Sequence, residues 1–224
     1  MSEPILYFHW SDPLALRLRL LLGAKDIRYQ QEARPLQDLE TAFDLGHARL
    51  PVVQIDGRNW GGELSELPDL DAALGRESLY AGIVDASDWQ AFCQWRQDLD
   101  ALLQRLLTPV QPVFAEISDD PADLQYFRRE GERRFAQSLE ALANDRYGGY
   151  QQLAQRGRLS TLAKHLAKQR FYLGRLSLID VVLCADFQLL RLLDGVTLPL
   201  DLQYYFQRVA EICRVSLNSG MRPN

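Results

Sequence analysis

The chain has 224 residues, enough for one large domain or two small ones with a sizeable core. Hydrophobic residues make up 47% and charged residues 25%, which excludes a disordered chain. Lys and Arg total 25 against 30 Asp and Glu, a net charge of −5, which disfavours direct nucleic-acid binding because that needs massed cations against phosphate.

Residues 4–9 alternate as a strand, and "SDP" then leads into a helix over 13–22. Gly23 stands just past that helix, where a left-handed residue is expected. A second strand is expected over 27–32 and a second helix over 36–45, ending near Gly46. "LPVVQIDGRNW" contains a third strand, an Asp56-Gly57 hairpin turn and a return strand. A helix from about Ser65 to Leu74 completes the order strand, helix, strand, helix, strand, strand, helix, a small α/β domain.

Past Ser87 the pattern is helical throughout. Trp89, Phe92, Cys93, Leu99, Leu102, Leu103, Leu106 and Leu107 recur at three- and four-residue steps, as on one face of a long helix. Leu124, Phe127, Phe135, Leu139 and Leu142 mark the next one. Arg128, Arg129, Arg133 and Arg134 interleave with Glu130 and Glu132, the pattern of a solvated helix face. "LSLIDVVLCADFQLLRLL" is apolar on nearly every side and reads as a central buried helix. "GRESLYAGIVDA" separates the two patterns, so the expected division is 1–78 and 87–224 with a linker at 79–86. No secretory leader pattern and no apolar run of membrane-spanning length is present in the sequence, and a cytoplasmic location is expected. Cys93, Cys184 and Cys213 are odd in number and widely spaced, which suits a reducing compartment. His9, His47 and His165 are scattered without metal-ligand spacing.

Two motifs carry the most information. Pro51 in "LPVV" belongs at the first residue of a strand, since proline cannot donate to the ladder. A cis bond between Leu50 and Pro51 would turn residue 50's main chain outward to a peptide-like ligand. Ser177 and Asp180 form a reciprocal capping pair before the apolar helix. Together with the order of elements, these residues resemble the cytosolic glutathione transferase superfamily over nearly the whole chain.

That resemblance implies an α/β thioredoxin-like domain (βαβαββα) that binds glutathione, followed by an all-α helical bundle. It also implies a homodimer, and an enzyme that transfers the glutathione thiolate to a small apolar electrophile held near Trp89, Phe114 or neighbouring aromatics. Leu50 and Pro51 would present main chain to glutathione. Glu63, or Ser65 with Glu66, would hold its γ-glutamyl group.

Catalysis requires the thiolate, and a thiol of pKa about 8.5 is only a few per cent ionised at neutral pH. A hydrogen bond that lowers the pKa by about two units contributes roughly 2.7 kcal/mol towards the anion. Tyr7 resembles the tyrosine-type donors of the superfamily, and Ser11 sits in the turn where its serine-type members keep theirs. No cysteine precedes Cys93, which argues against thiol–disulfide chemistry. The pair Asp12-Pro13 replaces the usual Ser-Pro or Cys-Pro, and Asp12 is expected to cap the helix with its oxygens turned to backbone amides. The turn and "YYFQRVAEICRVSL" also resemble the stringent starvation protein A branch, a non-catalytic transcription regulator associated with RNA polymerase. That is the alternative reading.

Overall fold

The computed structural model describes residues 3–223. Four strands form one mixed sheet: β1 (Ile5–Phe8), β2 (Gln30–Ala33), β3 (Val52–Ile55) and β4 (Arg58–Gly61), in spatial order β2-β1-β3-β4. β1 runs parallel to β2 and antiparallel to β3, and β3 pairs antiparallel with β4. The parallel pair needs a crossover, which α1 (Pro13–Ala24) supplies. Asp56 and Gly57 both take positive φ, 47° and 77°, as a two-residue primed hairpin turn demands. The Leu50–Pro51 peptide is cis, as expected.

Side chains alternate across a strand, so Leu6 and Phe8 enter the main core while Tyr7 points to the opposite face. There Tyr7 packs with Ala42, Leu50 and Val52. Ala42 belongs to α2 (Glu40–Asp44), shorter than the 36–45 expected; α3 (Leu67–Ala73) starts two residues after Ser65. The second strand is also displaced, beginning at Gln30 rather than at residue 27.

Gly23 does not end α1. It lies inside the helix, and a Cβ there would fall 1.9 Å from the carbonyl oxygen of Cys213. The left-handed residue after the helix is Asp26, with φ 50°. Gly23 therefore serves helix packing, a role that local sequence does not reveal.

The helical part begins with α4 (Ala86–Gln97) and α5 (Asp100–Leu107), followed by a 3-10 helix over Thr108–Val113. The expected long helix is thus broken at Asp98 and Leu99. Next come α6 (Ala115–Ser118), α7 (Pro121–Phe135) and α8 (Leu139–Asn144), the last two divided where Ala136 takes φ 56°. α9 (Tyr147–Arg156), α10 (Leu159–Leu166), α11 (Leu178–Phe187), a 3-10 helix over Gln188–Leu192 and α12 (Leu200–Ile212) follow. All ten residues of α11 are buried. Its apolar side chains each contribute roughly 1.5–3 kcal/mol from burial.

The Ser177–Asp180 capping box is present at the start of α11. Asp180 also accepts from the Tyr172 amide at 2.8 Å and the Tyr205 hydroxyl at 2.7 Å. α1 packs along α11, joining the sheet half to the helical half. The connecting stretch is tied at its start. The Leu79 amide donates to Asp71, and its carbonyl accepts from Leu178 at 3.0 Å. Lys25 Nζ, buried 2.8 Å from Asp71, also donates to the carbonyls of Gly75 and Glu77. Among the described residues no helix is long and apolar enough to cross a membrane.

Candidate functional site

A cavity of about 320 Å³ opens between the turn that follows β1 and the helices α4 and α5. The sheet half contributes Ser11, Asp12, Arg49, Glu63 and Ser65 to its wall. Tyr7, Leu50, Pro51 and Glu66 are not on it. Tyr7 lies on the α2 face of the sheet. Leu50 is 3% exposed and Pro51 is buried. Glu66 tucks its Oε2 against Gly61. The structure therefore gathers Ser11, Glu63 and Ser65 at one place and leaves the other four candidates elsewhere.

Ser11 is 6% exposed and its main chain is fixed on both sides. Its amide donates to Glu116 Oε1 at 2.7 Å, and its carbonyl accepts from Gln111 Nε2 at 3.0 Å. Asp12 caps α1, Oδ1 accepting from the Leu14 amide at 2.8 Å. It also faces the cavity, where burial pushes its carboxyl above the usual range and Arg49 opposes the shift only in part. Arg49 pairs with Glu63 at 2.7 Å across the rim.

The floor is ionic. Asp186 on α11 receives Arg17 of α1 and Arg96 of α4, all three buried, with Arg17 Nε 2.8 Å from Oδ1. Burial alone would raise the Asp186 carboxyl, but the two guanidinium groups pull it below the ordinary value. Arg17 Nη1 continues to the Gly62 carbonyl at 3.0 Å, and Arg96 Nη1 to Asp100 at 2.6 Å. The helical wall adds Gln97, Gln104, Thr108, Gln111 and Arg134, with Leu103 and Leu107 among them. It is more polar than the apolar pocket expected. Trp89 and Phe114 are packed in the core and off this wall.

Two of these roles had no signal in the sequence. Glu116 and Gln111 reach the turn from the far half of the chain, and only folding brings them there. None of the three cysteines lies on the cavity wall. Cys93 is off the cavity, and burial pushes its thiol up to about 11.

The described architecture has clear counterparts. Glutaredoxin 2 from Salmonella typhimurium, crystallised in complex with glutathione, is 23% identical over 99% of each chain with a TM-score of 0.78. Glutathione transferase GSTFuA3 from Phanerochaete chrysosporium is 18% identical over 95% of this chain and 98% of its own, with a TM-score of 0.73. A glutathione S-transferase from Ceriporiopsis subvermispora, also crystallised with glutathione, is 18% identical over 96% and 99%, with a TM-score of 0.68. Comparison with curated protein sequences gives no match. These similarities establish a glutathione transferase fold. The family model described as "Glutaredoxin 2, C terminal domain" matches residues 91–221, more than half of the chain, and on that match the protein belongs to the glutaredoxin 2 C-terminal domain family.

Proposed function

We propose that the protein binds glutathione in this cavity and uses the Ser11 hydroxyl to hold it as the thiolate for transfer to an electrophile. The observation that carries this reading is the position of Ser11. It lines the cavity just ahead of α1, while Tyr7 is committed to the other face of the sheet. Glu63 and Ser65 lie on the same wall and suit the γ-glutamyl end of the tripeptide. Leu50 and Pro51, which are buried and off the cavity wall, have no part in this reading. Crystals of fold neighbours with glutathione bound lend support.

In this reading the thiol proton leaves to solvent and the hydroxyl donates to the sulfur anion. Sulfur then forms a bond to the electrophilic carbon as a halide departs with its electron pair. The polar helical wall suits an electrophile that carries hydrogen-bonding groups. A dithiol mechanism has no residue to run on at this turn, since Asp12 stands where such enzymes keep cysteine.

Calorimetry should give a dissociation constant in the micromolar to millimolar range, and absence of heat at about 10 mM glutathione would sink the reading. Ser11→Ala should bind glutathione comparably yet lose about 100-fold in kcat/KM with chlorodinitrobenzene, the equivalent of about two pKa units of thiol activation.

A further inference from the structure

The turn that carries Ser11 is gripped from the opposite half of the molecule. Glu116, in α6, places each carboxylate oxygen on a different main-chain amide: Trp10 N–H donates to Oε2 and Ser11 N–H to Oε1, both at 2.7 Å. Gln111 Nε2 holds the Ser11 carbonyl at 3.0 Å from the same stretch of chain. Hydrogen bonds to an ionised acceptor are short and about twice as strong as neutral ones. The peptide units on both sides of Ser11 are therefore fixed by side chains outside the sheet half.

The clamp is itself braced by the C-terminal segment. Ala115 N–H donates to the Gly220 carbonyl at 2.8 Å, and Arg222 N–H to the Val113 carbonyl at 3.0 Å. Gly220 lies so close to Trp10 that a Cβ would stand 2.4 Å from the indole, and the Arg19 guanidinium is 4.6 Å from the centre of that ring. Two successive amides ahead of a helix make a natural seat for an anion. Here the protein's own carboxylate fills the seat, so a bound sulfur anion must rely on the hydroxyl of Ser11.

We propose that Glu116 is a positioning residue that sets the Ser11 hydroxyl against the sulfur of the bound thiol; this rests on the glutathione reading above. Glu116 touches neither ligand nor reacting atom. Its effect passes through the placement of one serine, so the helical half decides how well the sheet half activates a thiol.

The test reads the thiolate directly, by ultraviolet difference titration of bound glutathione against pH, and needs no electrophile. Wild-type protein should lower the bound thiol by about two units from its free value, and Ser11→Ala should abolish the shift. Glu116→Gln keeps one acceptor but sets an NH2 group against the second amide. It should bind glutathione within about threefold of wild type while losing at least about half of the thiol shift. Exchange of the Trp10 and Ser11 amides should rise about tenfold or more. Glu116→Asp, which retains the charge and both oxygens, should recover part of the shift. Asp12, Arg17, Arg49, Glu63, Arg96 and Asp100 are unchanged in these variants, so a difference between them reports the clamp.

A wild-type titration in Glu116→Gln beside a lost shift in Ser11→Ala would overturn the role of Glu116 and leave the glutathione reading standing. Failure of the wild-type protein to bind glutathione, or a bound thiol that titrates like the free one, overturns both. Should Glu116→Gln fail to fold, Gln111→Ala decides, since it removes a single donor to the Ser11 carbonyl; an unmoved titration there counts against the clamp.

Discussion

Asp12 serves two ends that conflict. Its Oδ1 caps α1 through the Leu14 amide, yet its carboxyl faces a cavity where burial raises its pKa. A carboxyl raised in the folded state binds more protons there than in the unfolded chain. Stability therefore falls as pH climbs past the unfolded value of about 3.9, and the full cost is present above the folded value. Asn caps as well as Asp and carries no charge. Asp12→Asn should thus be more stable than wild type at pH 7 in urea unfolding, with the gain vanishing below about pH 4. Asp12→Ala should instead lose about 1 kcal/mol with the cap. A carboxylate about 4 Å from a thiolate opposes it by up to roughly 4 kcal/mol at an effective dielectric near 20, so Asp12→Asn should also make bound glutathione more acidic. A pH-independent or negative effect of Asp12→Asn on stability would contradict this account. Tyr7 gives the complementary lesson at the same scale. The two-residue alternation of "ILYF" already separates it from Leu6 and Phe8, and that pattern alone assigns Tyr7 to the face away from the main core.

Elements were legible where local chemistry decides them. The Asp56-Gly57 turn, the Asp12 cap, the capping box at Ser177 and the all-round apolar character of α11 are local facts, and each is present in the fold. Helix ends set by distant contacts were not legible. Apolar spacing runs on through Asp98-Leu99 and past Phe135, because periodicity records which face is buried and not where the backbone breaks. The cavity wall was equally hidden: Gln97, Gln104, Gln111 and Arg134 come from separate segments and share no motif. Gly23 is the sharpest case. Within a helix, replacing Gly by Ala ordinarily gains up to about 1 kcal/mol. Here the new methyl would meet the Cys213 carbonyl, and main chain cannot rotate away. Gly23→Ala should therefore destabilise the protein by about 1–3 kcal/mol, measured as a lower urea midpoint at unchanged slope. A raised midpoint would show that α1 and the chain after α12 are not packed this closely.

At the scale of the molecule, three charges hold the seam. Arg17, Arg96 and Asp186 come from α1, α4 and α11, and they meet under the cavity with almost no solvent. A buried cluster of this kind need not stabilise more than apolar packing would, but removing one partner is costly because the others stay buried and unpaired. Asp186→Asn leaves Arg17 without a carboxylate and Arg96 with Asp100 alone. The expected loss is about 3–5 kcal/mol, a large part of a total stability of roughly 5–15. The pH dependence has the opposite sign to that of Asp12. The two arginines depress the Asp186 carboxyl, so the unfolded chain binds the extra proton, and the stabilisation is complete above the unfolded value of about 3.9. It is lost as pH falls through the folded value. The gap between wild type and Asp186→Asn in urea unfolding should hold steady from about pH 5 to 8 and narrow below about pH 4. Raising salt should leave that gap nearly unchanged, because screening acts on charges that face solvent. The exposed pair of Arg214 and Asp26, at 78% and 63% side-chain exposure, is the control: its removal should cost at most about 1 kcal/mol and less at high salt. A gap at Asp186 that shrinks with salt or ignores acid would mean that water reaches the cluster, and the buried charges would then contribute little to joining the two halves.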